Sequence, residues 1–205
     1  MAAIRGAVLA GGAASRFGGR PKGLERVGGQ RILDLAVESL REATGALPVL
    51  VANAPDAESW YPGLTVLRDL LPHCGALGGI YTAVSASEQP VLVLAWDMPF
   101  VPVSLLRALV EGASDYDVFL PESGNRRGLE PLCGVYGPAC QPAIRKRLER
   151  EDYRMIGFHE AVRVGTLPLE HVARYGDPAV LFFNVNTAED LAEAEGLWRQ
   201  RASSR

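Results

Sequence analysis

The chain has 205 residues, 48% of them hydrophobic and 22% charged, and 21 Lys plus Arg against 24 Asp plus Glu leave a formal net charge of −3. That length can bury a full core without disulfide or metal staples, and the composition is that of a globular chain, not a disordered or fibrous one. A mildly acidic chain is poorly suited to hold a nucleic-acid polymer, because such binding rests on neutralising many phosphates.

In chain order, Ala7-Val8-Leu9-Ala10 predicts a first strand, broken at Gly11-Gly12. Apolar residues at Ile32, Leu33, Leu35, Ala36, Val37 and Leu40 predict a helix packed on a sheet. Pro48 to Ala52 predicts a second strand, ended by Asn53-Ala54-Pro55-Asp56, and Leu64 to Leu67 a third. Gly75 to Ala86 reads as a helix entered through a glycine loop, and Val91 to Ala95 as a strand with no polar residue to expose. A helix over Val103–Val110, strands at Val118–Leu120 and Cys133–Tyr136, and a helix over Ala139–Leu148 follow. Val180 to Phe183 predicts a last strand, and Thr187 to Arg199 a closing helix with Thr187 as N-cap and Asp190 at N3. Continuous apolar strands between helices predict a mostly parallel sheet buried on both faces. The expected fold is α/β, a single Rossmann-like three-layer α/β/α domain over residues 1–205.

Cys74, Cys133 and Cys140 include no C-x-x-C pair, which argues against a disulfide framework or a thiolate zinc site. They read as small packing residues. No apolar run approaches the roughly 20 residues that cross a bilayer, and the start of the chain is too short in apolar residues for a secretory leader. A cytoplasmic protein without membrane contact is expected.

The glycine-rich stretch Gly11 to Gly19, with Arg16, Arg20 and Lys22 in and after it, follows the first strand directly. Ligands of open α/β sheets bind beyond the carboxyl ends of the strands. Glycines there let backbone N–H groups approach an anion, Arg16 offers a bidentate fork and Lys22 a compact charge. Neither a P-loop, since Gly23 follows Lys22, nor G-x-G-x-x-G is present. Asp97 ends the strand Val91–Ala95, where a carboxylate can hold magnesium together with substrate phosphates. Asn184 and Asn186 follow the predicted last strand; their carbonyl oxygens suit a magnesium shell or a helix cap. Asn53 and Asp69 stand at two further strand ends, so polar residues at four strand ends suit one pocket. His73, His159 and His171 lack metal-ligand spacing and read as surface or loop residues.

Together these residues resemble the nucleotidyltransferases that activate sugars, terpenoid precursors and cofactors. Leu9-Ala10-Gly11-Gly12 with Ser15-Arg16-Phe17-Gly18 and Lys22 is similar to their signature loop. Asp97-Met98-Pro99, Glu130-Pro131-Leu132 and Phe183 to Leu191 resemble motifs of the MobA-type molybdenum cofactor guanylyltransferases. The resemblance implies a nucleotide-diphospho-sugar transferase-like fold, with a nucleotide-binding half over about 1–100 and an acceptor half over about 101–200. It implies GMP transfer from GTP to the molybdopterin cofactor, with Mg2+ as cofactor and molybdoenzyme chaperones as partners. Residue by residue, it places Leu9, Ala10, Gly11, Gly12, Asn53, Asp69 and Gly78 at the nucleotide. Lys22 and Arg16 fall at the phosphates, Asp97 at the metal and Asn186 as a second ligand. A related transferase with another base or acceptor, such as a cytidylyltransferase, and a non-catalytic nucleotide-binding protein are the alternative readings. Departures are Ala76 and Ala188 in place of prolines, and Trp96 where cysteine is common. Arg126 and Arg127 could meet an anionic acceptor or belong to a solvated loop. Lys146, Arg147, Arg150 and Arg154 read as a solvated face.

Overall fold

The structure, a computed structural model, describes residues 4–11, 21–125 and 128–203. Strand β1 (Arg5–Ala10) is buried from Gly6 onward. A short hairpin of β2 (Arg26–Val27) and β3 (Gln30–Arg31) leads into α1 (Ile32–Thr44), followed by β4 (Val49–Ala52), β5 (Thr65–Leu67), α2 (Gly75–Ser85) and β6 (Val91–Ala95). Beyond them lie α3 (Val103–Gly112), β7 (Val118–Pro121), β8 (Cys133–Tyr136), α4 (Cys140–Leu148) and β9 (Val164–Leu167). Two four-residue helices, α5 (Leu169–Val172) and α6 (Pro178–Leu181), precede α7 (Ala188–Ser203).

Seven strands form one sheet in the order β5-β4-β1-β6-β8-β7-β9. The pairs β4–β5, β1–β4, β1–β6 and β7–β9 are parallel, whereas β8 runs antiparallel to both β6 and β7. The connection from β7 to β8 contains no helix, and a bridge between Glu122 and Leu129 makes it a hairpin-like return. Such a return can only bring the chain back antiparallel.

The strands bury both faces by strict alternation. Val8, Leu50, Leu92 and Leu94 point to the side covered by Leu33, Ala36, Val37 and Leu40 of α1 and by Leu105, Leu106 and Leu109 of α3. Ala7, Leu9, Val49, Val51, Val91 and Val93 point to the other side, beneath α2 and α4. The result is three layers, as the apolar runs predict. A smaller cluster of Val27, Ile32, Phe100, Val185 and Ala194 seats α7 against the β2–β3 hairpin. The hairpin turns through Gly28 and Gly29, both at positive φ, as a two-residue turn between strands of right-handed twist requires. The indole of Trp198 lies where a Gly28 Cβ would be, and the Gly28 N–H donates to Glu195 Oε1 at 2.9 Å.

The expected strand over Val180–Phe183 is a correction. Those residues belong to α6 and its end, because Asp177 caps Pro178 at the first helical position and accepts from the Ala179 N–H at 2.9 Å. An Asp N-cap followed by Pro starts a helix, and the turn buries Leu181 and Phe182. Asn184 and Asn186 therefore follow a helix, not a strand. Strand β9 and the β2–β3 hairpin lie outside the predicted elements. All three cysteines are buried and unbridged. Among the described residues no helix is long and apolar enough to cross a membrane.

Candidate active site

The carboxyl ends of β5, β4, β1 and β6 open into a cavity of about 510 Å³, the size of a small-ligand pocket. Leu9, Ala10 and Gly11 form its floor at the end of β1, and Asn53, Asp69 and Asp97 line it beyond β4, β5 and β6. Three inter-strand steps of about 4.8 Å separate β5, which precedes Asp69, from β6, which precedes Asp97, so these two strands lie roughly 14 Å apart. At one end Asn53 and Asp69 are reciprocally bonded. The Asn53 amide donates to Asp69 Oδ2 at 2.7 Å, and the Asp69 N–H donates to Asn53 Oδ1 at 2.9 Å. Each thereby fixes the other's orientation while lining the cavity. Between the ends, Gly75 and Ala76 bring in the start of α2, whose first turn has no side-chain cap. Its N–H groups make that wall favourable to negative charge.

At the other end Lys22 and Asp97 meet. The Lys22 ammonium donates to Asp97 Oδ2 and, at 2.7 Å, to Asn186 Oδ1. Both partners of the ion pair are largely buried, at 15% and 11% side-chain exposure. Three local devices hold the trio. Gly23, next to Lys22, sits flat on the Trp96 ring, where an added Cβ would lie 2.2 Å from an indole carbon. Trp96 in turn stacks on Trp60 with ring centres 5.1 Å apart. The Asp97 carbonyl accepts from the Val185 N–H at 2.9 Å, which ties the segment carrying Asn186 to the end of β6. Thr187 and Asp190 form a reciprocal cap at the head of α7: Asp190 Oδ2 accepts from the Asn186 and Thr187 N–H groups at 2.8 Å, and Thr187 Oγ1 accepts from the Asp190 N–H at 3.1 Å. Asn186 thus has its backbone held by the helix cap and its side chain turned to Lys22.

Asp97 Oδ1 is buried and has no hydrogen-bond partner among the described residues. A buried carboxylate oxygen without a donor calls for a cation or polar ligand. Among the described residues no three His, Cys, Asp or Glu side chains cluster as a cage for a metal ion. One carboxylate beside an open cavity suits a hard cation that takes its remaining ligands from water and phosphate.

Of the residues singled out from the sequence, Leu9, Ala10, Gly11, Lys22, Asn53, Asp69 and Asp97 line this one cavity. Asn186 does not line it and reaches it only through Lys22. Gly78 points elsewhere, since its Cβ would meet Cys74 at 2.7 Å; the neighbouring Gly79, beneath Leu9, is the one that lines the cavity. Gly12 and Arg16, and the arginines Arg126 and Arg127 of the acceptor segment, lie outside the described residues. His73 and Trp96 are among the lining residues that the sequence does not mark as cavity residues. His73 sits at φ 64° on the rim between Asp69 and α2, and Trp96 forms wall as well as support. The signal for His73 was its place in a strand-to-helix loop at the carboxyl edge. Arg147 and Arg154 both pair with Asp152, as members of a solvated face do.

Residues 6–164 match the family model of the MobA-like NTP transferase domain. The chain belongs to this family. A molybdenum cofactor guanylyltransferase of Bradyrhizobium sp. is 36% identical over 205 aligned residues, covering 95% of this chain and 93% of its own. The molybdenum cofactor guanylyltransferase of Desulfosudis oleivorans is 31% identical over 198 residues, 95% of this chain and 96% of its own. Among solved structures, molybdopterin-guanine dinucleotide biosynthesis protein A of Archaeoglobus fulgidus superposes with a TM-score of 0.79 at 25% identity, over 96% of this chain and 99% of that one. The MobA-like match spans β1 to the start of β9, so all four strands that open into the cavity lie within it.

Proposed function

We propose that this MobA-like protein transfers GMP from GTP to the terminal phosphate of the molybdopterin cofactor. The observation that carries the reading is one cavity with a carboxylate–amide pair at one end and a lysine–carboxylate pair at the other, beyond strands roughly 14 Å apart, a span suited to a nucleoside triphosphate. Guanine presents two adjacent donors, its ring N–H and exocyclic amine, to a carboxylate such as Asp69, with Asn53 fixing that carboxylate. Cytosine lacks that donor pair. The triphosphate then runs past the N-terminus of α2 and Gly11 toward Lys22.

In the reaction an oxygen of the acceptor phosphate attacks the α-phosphorus. The new P–O–P bond forms as the bond to the bridging oxygen of the β-phosphate breaks, and diphosphate leaves. The acceptor oxygen is already anionic, so no general base is needed. Catalysis is positioning plus charge neutralisation. Lys22 takes up charge developing on the departing diphosphate, assisted by Arg16. The orphaned Asp97 Oδ1 and the chemistry of the site fit Mg2+, with Asp97 as its protein ligand. Bound there, the ion supplies Lewis-acid polarisation of the phosphates. Asn186 holds Lys22 in the nucleotide-free protein. The nucleotide-binding half is residues 1–100, which contribute every cavity-lining residue except Leu132; the acceptor half is 101–200. The reaction takes place in the cytoplasm, and molybdoenzyme chaperones receive the product.

The test is incubation with molybdopterin, Mg2+ and either GTP or CTP. GTP consumption with diphosphate release is expected; CTP consumption alone makes the protein a cytidylyltransferase, and nucleotide binding without diphosphate release makes it a non-catalytic binder. Asp97→Ala is expected to abolish turnover with the fold intact by circular dichroism, and near-normal turnover would refute the metal assignment.

A further inference from the structure

We infer that Lys22 is the resident cation of the nucleotide-free site, and that it and a divalent metal exclude one another until nucleotide phosphates draw the lysine away. The inference rests on the reading of Asp97 as the metal's protein ligand.

Two side-chain oxygens from distant parts of the chain, Asp97 Oδ2 and Asn186 Oδ1, converge on one nitrogen, Lys22 Nζ. The backbones that carry them are held without that nitrogen. Asp97 is fixed through its carbonyl to Val185, and Asn186 through its N–H to the Asp190 carboxylate. The two oxygens stand on independently anchored backbones, and the ammonium fills the place between them. Lys22 is also built to leave. Its backbone is pinned by the contact of Gly23 with Trp96, while its charge rides on a flexible four-carbon stem.

Charge balance decides the order of events. With Lys22 in place the buried carboxylate is neutralised one to one, and a divalent ion added beside it would leave two positive charges uncompensated near an apolar wall. A triphosphate supplies the missing negative charge and gives Lys22 new partners. Lysine withdrawal would free the Asp97 carboxylate, whose Oδ1 has no partner among the described residues even while the lysine is bound, to hold the ion. Metal and nucleotide thus enter as a coupled pair, and the lysine released from Asp97 is the one delivered to the phosphates.

The experiment measures Mn2+ alone, by the electron paramagnetic resonance signal of the free ion, against nucleotide-free protein. Lys22→Met is expected to bind Mn2+ at least about tenfold tighter than the unmodified chain, because the competing charge is gone. The gain should vanish in Lys22→Met/Asp97→Asn. A Lys22→Met protein that melts cooperatively yet binds Mn2+ no tighter than the unmodified chain overturns the inference; should Lys22→Met not fold, Lys22→Gln is read by the same criterion. Asp97→Asn separates the two levels. If it keeps Mn2+-dependent GTP turnover, the metal assignment fails and this inference with it. If it is inactive and Lys22→Met shows no gain, lysine exchange alone is refuted.

Discussion

The position of Lys22 is set by its neighbour. The Trp96 ring leaves no room for a side chain at residue 23, so Gly23→Ala must push the indole or lift the loop. Overpacking of this kind costs about 1–3 kcal/mol, and here the displaced group is the lysine's own backbone. We expect Gly23→Ala to lower kcat together with the urea midpoint. Gly23→Ala/Trp96→Ala should recover part of both, and a purely additive double mutant would show that the contact does not position Lys22. Lys22→Ala itself should lose more than about tenfold in turnover, or about 1.4 kcal/mol of barrier. At this scale the sequence was legible wherever a residue's place in the cavity follows from standing at a strand end, as for Asn53, Asp69 and Asp97. It was not legible where the role depends on which of two neighbouring helical glycines faces inward, as at Gly78 and Gly79. The partner of Asn186 was equally hidden, because a ligand and a holder of lysine need the same carbonyl oxygen.

Among the elements, α7 contributes to the site through its first turn. Thr187 and Asp190 satisfy the orphan donors at its head and hold Asn186 beneath Lys22. Thr187→Ala is expected to cost about 1 kcal/mol, read from urea unfolding, and to leave chemistry nearly intact because Asp190 still grips the Asn186 N–H. Asp190→Ala removes that grip and should lower turnover as well. The cap was readable in advance, since Thr187 and Asp190 have the right spacing ahead of an apolar-periodic stretch. The neighbouring element was misread for a related reason. Val180–Phe183 has the composition of a buried strand, and only the preceding Asp177-Pro178 distinguishes it as a helical turn. Strand β9 is four residues long, only partly buried and contains Gly165, so its alternation is too faint to read in isolation.

For the molecule as a whole, the acid limb of stability follows from groups far from the cavity. Arg163 beside Asp117 holds that carboxyl below its ordinary range, and Arg154 with Arg147 does the same for Asp152. Such groups stabilise the fold above the ordinary carboxylate pKa near about 4, and the stabilisation is lost as pH falls through their depressed folded values. Burial lowers His159, whose Nε2 is buried without a partner. The unfolded chain therefore takes up this proton first, and stability begins to fall as pH drops below about 6.5. We expect the urea midpoint to be flat above neutral pH, to decline in two stages below it, and to lose part of the lower stage in Asp117→Asn. Burial also raises the Cys133 thiol and pushes that of Cys140 up to about 12. Both should resist alkylation at pH 8 and react only in urea, as peptide mapping would show. The layered sheet was legible because buried strands read as unbroken apolar runs; the reversal of β8 was not, because direction is set by the length of a connection and leaves no mark on the strand itself. One consequence concerns synthesis. The four strands that open into the cavity are complete by Ala95, whereas the Lys22–Asn186 bond closes a separation of 164 residues. A ribosome therefore delivers the pocket long before it delivers the residue that steadies the lysine. The emerging chain has a cavity first and a poised charge last, when its final helix docks.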